Sequence, residues 1–141
     1  MRKFFASFPA WTASVVWILL ILWTMDVPSP FMEDFSDVFI VWDKFCHLLL
    51  GAVMVFCLCL DWQRRRKWRQ MKPGILFILA LIGSVITATA EVCQIFTPEE
   101  DRRWFDPLDV AWQLIGAFGM AALYSALQLL WCKPNPLKKV K

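Results

Sequence analysis

Charged residues are placed so that four stretches of the chain carry none: 4–25, 45–60, 73–90 and 110–132. Each is near the length that covers about 30 Å of hydrocarbon at about 1.5 Å per helical residue. The third extends to residue 98 if Glu91 is allowed inside it, and the second is short, which holds its ends close to an interface. With 59 % hydrophobic residues in a chain of 141, including 12 Phe and 9 Trp, a soluble domain could not hide this much apolar surface. A lipid bilayer is therefore the expected solvent, and a soluble enzyme or a nucleic-acid binder is excluded. The expected fold is all-α, an integral membrane bundle of four transmembrane helices forming one domain over residues 1–141. The spans are placed at about 9–25, 43–60, 73–96 and 107–132.

Arg2 and Lys3 ahead of the first stretch raise the question of a signal peptide, but no small-x-small cleavage site follows, so an uncleaved first span is expected. Twelve of the fifteen basic residues flank the spans on one side: Arg2, Lys3, the cluster from Arg64 to Lys72, and the four lysines after Trp131. The positive-inside rule then puts both termini and the central loop in the cytoplasm, in a multi-pass protein of the cytoplasmic (inner) membrane. Eleven of the twelve acidic residues lie on the opposite side, Asp61 being the exception. Trp11, Trp23, Trp42, Trp62, Trp68, Trp104 and Trp131 fall near the implied interfaces, where an amphipathic ring prefers to sit. Between the first two spans, "SPFMEDFSDVFIVW" places Phe31, Phe35, Val38, Phe39 and Trp42 on one helical face and Glu33, Asp34 and Asp37 on the other. This reads as a short outer interfacial helix over about 30–42, with Ser29 as N-cap and Pro30 in its first turn. The five cysteines show no metal-finger spacing; Cys46 and Cys93 both fall near the outer face, where a disulfide is open to them.

The polar residues converge on the outer ends of three spans. The second opens with "DKFCH", in which Asp43 and His47 are four apart and share a face beside Lys44. The third closes with Ser84, Thr87, Glu91 and Gln94 at spacings of three, four and three, one stripe down a helix. The fourth opens with "RRWFDPLDVAWQLIG", where Asp106, Asp109, Gln113 and Gly116 repeat that spacing behind Arg103. Structural roles account for several of these. Asp106, Pro107 and Asp109 make a good helix opening, His47 can bond Asp43 one turn away, and Gly116 can serve close packing. Glu91 is different: it sits toward the electronegative C-terminal end of its span, where a charge costs a few kcal/mol unless paired. It is expected to face inward and to be held by Lys44, His47 and Arg103 across three helices.

"DKFCH", "EVCQIF" and "RRWFDPLDVAWQLIG" together resemble the VanZ-like family, named for a glycopeptide-resistance protein associated with reduced sensitivity to teicoplanin. The family pattern opens one span with D-K-x-x-H, closes the next with E-x-x-Q, and opens the last with R, two acids and N-x-x-G. It falls here on Asp43, Lys44, His47, Glu91, Gln94, Arg103, Asp106, Asp109 and Gly116, and covers residues 43 to about 120. Gln113 stands where the family usually has Asn, and the linker "TPEEDRRW" is more acidic than the family pattern; spacing favours Arg103 over Arg102 as the family arginine. The resemblance implies a small bacterial multispan protein of the cell envelope, linked to teicoplanin resistance as a form of antibiotic resistance, and no established reaction.

Three functions follow as alternatives. One is binding of an amphiphilic ligand, a lipoglycopeptide or a polyprenyl-linked wall precursor. Its tail would stay in the bilayer while Lys44, Arg103 and the starts of spans two and four attract its head. Another is a membrane enzyme acting on a lipid-linked substrate through the Asp/His/Glu cluster, with no catalytic residue assigned. The third is a structural or regulatory membrane subunit. A carboxylate pair with an imidazole can hold a divalent metal, but with one histidine and carboxylates used in capping, the sequence assigns neither a metal nor a cofactor.

Overall fold

The computed structural model describes residue 9 and residues 11–26, 36–93 and 106–131. These form four helices and no strand: α1 (Thr12–Asp26), α2 (Ser36–Arg65), α3 (Pro73–Cys93) and α4 (Pro107–Trp131). Residues Trp42–Arg65 of α2, all of α3, and Pro107–Leu130 of α4 are long and apolar enough to cross a membrane. Helix α1, at 15 residues, is about 22 Å long, which is shorter than the hydrocarbon core.

Two boundaries differ from those read in the sequence. Helix α2 starts at Ser36 and runs through Asp43 without a break, so residues 36–42 are its first two turns rather than the end of a separate surface element. It also continues past Asp61 to Arg65. Residues 27–35, with Ser29, Pro30 and the first six residues of the expected outer helix, lie outside the described residues.

Local chemistry sets the ends. Pro73 occupies the first helical position of α3, where its missing N–H costs nothing. Asp106 caps α4 by accepting a hydrogen bond from the Leu108 N–H at 2.9 Å. Helix α2 ends in a Schellman motif: the Trp68 N–H donates to the Gln63 carbonyl (2.9 Å) and the Lys67 N–H to the Arg64 carbonyl (3.1 Å). Lys67, at φ 51°, takes the left-handed position that glycine usually fills.

The distribution of side chains is inverted relative to a soluble protein. Val85 is 65 % exposed and Leu130 83 %, along with Phe77, Ile78, Ile115, Leu123 and Leu129, while Asp61, Gln63, Thr87, Glu91, Asp109, Gln113 and Gln128 are buried. An apolar exterior around a polar-studded interior is what a bilayer solvates. The apolar core is built by Met54, Val55, Leu58 and Cys59 of α2, Leu76, Leu79 and Ala80 of α3, and Ala117, Ala121 and Tyr124 of α4.

Helices α2 and α4 approach until their backbones touch. A Cβ on Gly116 would collide with the Leu48 carbonyl oxygen, and one on Gly51 with the Gln113 carbonyl oxygen. Apolar burial alone does not draw helices together in lipid, so small residues that permit close approach decide which pair packs. This contact fixes Asp43–His47 opposite Asp109–Gln113.

At the end of the bundle that carries the basic cluster, Asp61 is fully buried. It accepts from the Ser14 N–H (2.9 Å) and hydroxyl (2.8 Å), and Arg64 lies 3.2 Å from its other oxygen. The Ser14 N–H belongs to the first turn of α1, so a carboxylate from α2 supplies a cap that α1 lacks and places negative charge at its positive end. Nearby, the Tyr124 hydroxyl donates to Gln63 (2.7 Å), and the Gln128 side chain bonds both the N–H and the carbonyl of Met71. The sequence analysis did not find these pairs.

Candidate functional site

The opposite end of α2, the C-terminal end of α3 and the start of α4 bring seven of the residues singled out in the sequence into one cluster: Asp43, Lys44, His47, Glu91, Asp106, Asp109 and Gln113. Gln94 and Arg103 lie outside the described residues. Cys46 and Cys93 are both exposed free thiols.

At the base of the cluster Glu91, 4 % exposed, accepts a hydrogen bond from Gln113 Nε2 (2.8 Å) on Oε1. His47 Nδ1 is 3.0 Å from the same oxygen and 3.1 Å from Gln113 Nε2. The expectation that Lys44 holds Glu91 is therefore corrected: the imidazole and an amide do so. Lys44 is instead committed to α4, bonding Asp106 Oδ2 at 2.6 Å and the Asp109 Oδ1 oxygen, with Asp43 Oδ2 at 3.6 Å. The reason is geometric. The glycine contact sets α2 against the first turns of α4, and α4 presents two carboxylates there.

Asp106 fills both of the roles that the sequence left open. Its Oδ1 caps α4 while its Oδ2 takes the lysine. The Lys44 hydrogen bond, then the Leu108 N–H, hold its carboxyl below the usual carboxylate range. Asp109 and Asp43 each divide their oxygens: Asp109 Oδ1 and Asp43 Oδ2 face Lys44, whereas Asp109 Oδ2 and Asp43 Oδ1 lie 3.5 and 3.6 Å from His47 Nε2. The buried Gln113 Oε1 has no hydrogen-bond partner among the described residues. Ser84 and Thr87 are buried on the same face of α3 as Glu91, but their hydroxyls return to carbonyls of their own helix and do not join the cluster.

The charge balance differs from the expectation of an anion-attracting mouth. Among the described site residues one lysine faces four carboxylates, and that lysine is already paired. The start of α2 is two turns away at Ser36, so its free N–H groups do not point into the site. A negative cluster of this kind attracts cations and accepts hydrogen bonds.

An apolar cleft of about 260 Å³ opens between α1 and α3, lined by Ile18 and Ile21 on one side and Val85, Ile86, Thr89 and Cys93 on the other. Val85, Ile86, Thr89 and Cys93 stand about 120–160° around α3 from Glu91, so the cleft opens on the side of α3 turned away from the polar cluster.

No protein-family model matches this chain, and neither a curated protein nor a solved structure does.

Proposed function

We propose that this chain is a VanZ-like protein of a bacterial cytoplasmic membrane that binds the head of an amphiphilic envelope molecule. The class of ligand is a lipoglycopeptide such as teicoplanin or a polyprenyl-linked wall precursor. In this reading the chain crosses the bilayer four times with both termini in the cytoplasm, and the cluster faces outward. The observation that carries it is the buried Glu91–Gln113 pair against His47, beneath an ion-paired Lys44, Asp106 and Asp109 rim, at one end of a bundle with an apolar exterior. Ionisable groups inside apolar helices are costly and ordinarily mark a site of function. The reading rests on this arrangement and on the residue spacing that resembles the family.

Recognition would differ from a simple cation–phosphate attraction. Asp43 and Asp106, with 32 % and 38 % of their side chains exposed, are the accessible acceptors for sugar hydroxyls and amines of a glycosylated head. The tail would lie in the bilayer against the apolar exterior of the helices.

The test is drug susceptibility of a teicoplanin-sensitive host expressing the wild type or Glu91→Gln at matched membrane levels. Protection by the wild type alone supports the reading. Equal protection by both makes Glu91 scaffold, and protection by neither removes the glycopeptide and leaves polyprenyl-linked ligands to be tried.

A second reading, an enzyme acting on a lipid-linked substrate, is favoured by one feature. Glu91 orients His47 through Nδ1 and leaves Nε2 toward two carboxylates, an arrangement suited to proton transfer.

A further inference from the structure

The space in front of His47 Nε2 has a size that can be compared with possible occupants. Its separations from Asp109 Oδ2 and Asp43 Oδ1 are 3.5 and 3.6 Å. A proton shared between nitrogen and oxygen draws them to about 2.7–3.2 Å, so both gaps are wider than a hydrogen bond. Bonds of about 2.0–2.2 Å to nitrogen and carboxylate oxygen give a tetrahedral centre an edge of about 3.4 Å, close to both gaps. One ligand atom from each of Asp43, His47 and Asp109 lies within 4.8 Å of the others, so a small carboxylate rotation closes the third edge.

The surrounding groups complete the pattern. Lys44 occupies only the oxygens of Asp43 and Asp109 that face away from the imidazole, and leaves the other two free. Glu91 Oε1 lies 3.0 Å from His47 Nδ1, so the tautomer with its proton on Nδ1 shares that proton with the carboxylate and turns the Nε2 lone pair to the gap. A carboxylate behind a ligating imidazole is the usual second layer of a metal site. Gln113 in turn holds Glu91 and leaves its own buried Oε1 unpartnered among the described residues beside that imidazole. Among the described residues, the excess of carboxylates over paired cations supplies the charge that a divalent ion would neutralise.

We propose that Asp43, His47 and Asp109 form a three-ligand site for a divalent transition metal, zinc being the ion that fits. The fourth position is left for a phosphate or carboxylate oxygen of the ligand head. Imidazole with two carboxylates is a donor set suited to zinc. The ion would give this negative cluster the means to receive an anionic head, which the committed Lys44 does not. The proposal deepens the ligand-pocket reading and rests on it for the identity of the fourth ligand. Metal loading is measured without any glycopeptide or polyprenyl-linked ligand, so its failure leaves the susceptibility experiment standing, and the converse also holds.

The experiment uses the full chain in lipid nanodiscs, stripped with chelator and titrated with Zn²⁺ by equilibrium dialysis with elemental analysis. One zinc per chain is expected. The site should be lost, by 100-fold or more in affinity, in His47→Ala and in Asp109→Asn. Glu91→Gln keeps all three ligands and should weaken binding about 10- to 100-fold through its action on His47. Cys46→Ser/Cys93→Ser should bind as the wild type does. Co²⁺ substituted into the wild type should show a tetrahedral nitrogen/oxygen spectrum without a thiolate charge-transfer band, a readout that holds even where a variant fails to fold. Absence of stoichiometric zinc, unchanged affinity in a folded His47→Ala, or a thiolate band in the Co²⁺ spectrum would each overturn the proposal.

Discussion

Replacing Lys44 by Met tests how the cluster is held. The substitution keeps the aliphatic stem and deletes the ammonium that bonds Asp106, Asp109 and, at longer range, Asp43. The Asp106 part is open to solvent and adds little. Asp109, with 11 % of its side chain exposed, is left buried beside Asp43 and Glu91 without its cation. Removing one member of a buried pair costs about 3–5 kcal/mol, and the partly open mouth brings the expected loss to about 2–4 kcal/mol. Asp109→Asn in the Lys44→Met background should return about 1.5–3 kcal/mol, the worth of a charged hydrogen bond once the orphaned anion is gone. The assay is reversible unfolding in bicelles of the wild type, both single variants and the double variant. A Lys44→Met loss under about 0.5 kcal/mol, or no coupling to Asp109, would show that the pair does not hold α2 to α4.

Other perturbations follow from the same contacts. Gly116→Ala or Gly51→Ala forces a Cβ into a facing carbonyl, so each should cost about 1–3 kcal/mol or more and lower cross-linking between cysteines placed on α2 and α4. Asp61→Ala removes the acceptor for the Ser14 N–H and hydroxyl; about 1–3 kcal/mol should be lost, with α1 becoming the first helix cleaved in limited proteolysis. Asp106 has its carboxyl pKa depressed from 3.8, so its contribution is complete above that value and is lost as pH falls through the lower folded value. Thermal stability should thus be flat in this respect above about pH 5. A decline in more acidic buffer should be smaller in Asp106→Asn. Lys67→Gly relieves a left-handed lysine and should raise stability by up to about 1 kcal/mol, seen as a higher melting temperature.

The site was legible in the sequence where its residues repeat at helical spacing. Asp43 with His47, and Asp109 with Gln113 and Gly116, share faces because of the 3.6-residue period, and Glu91 stood out as a charge with no local structural reason. The pairing across helices was not legible in the same way. Lys44 was matched to Glu91 because it is one of the few cations on that side of the spans and is opposite in sign. The close approach of Gly51 to Gln113 and of Gly116 to Leu48 instead places two α4 carboxylates nearer, and leaves Glu91 to His47 and Gln113. The start of α2 was read seven residues late because the polar face of 36–42 gives way to an apolar span without any break in helical period. Ser14–Asp61 and Tyr124–Gln63 join residues 47 and 61 positions apart, a separation that local pattern does not encode. Asp61 was nonetheless visible as the one acidic residue among the basic ones.

The most direct test of the pocket is the binding of a tailed glycopeptide and of a polyprenyl-linked precursor to the chain in nanodiscs, alongside a glycopeptide without a tail. If the cluster is the binding site, one tailed ligand binds and the tail-less one does not. Glu91→Gln, folded and inserted to the same extent, then weakens that binding at least about tenfold, about 1.4 kcal/mol. Failure of a folded wild type to bind either tailed ligand, or equal binding by the wild type and Glu91→Gln, would contradict it.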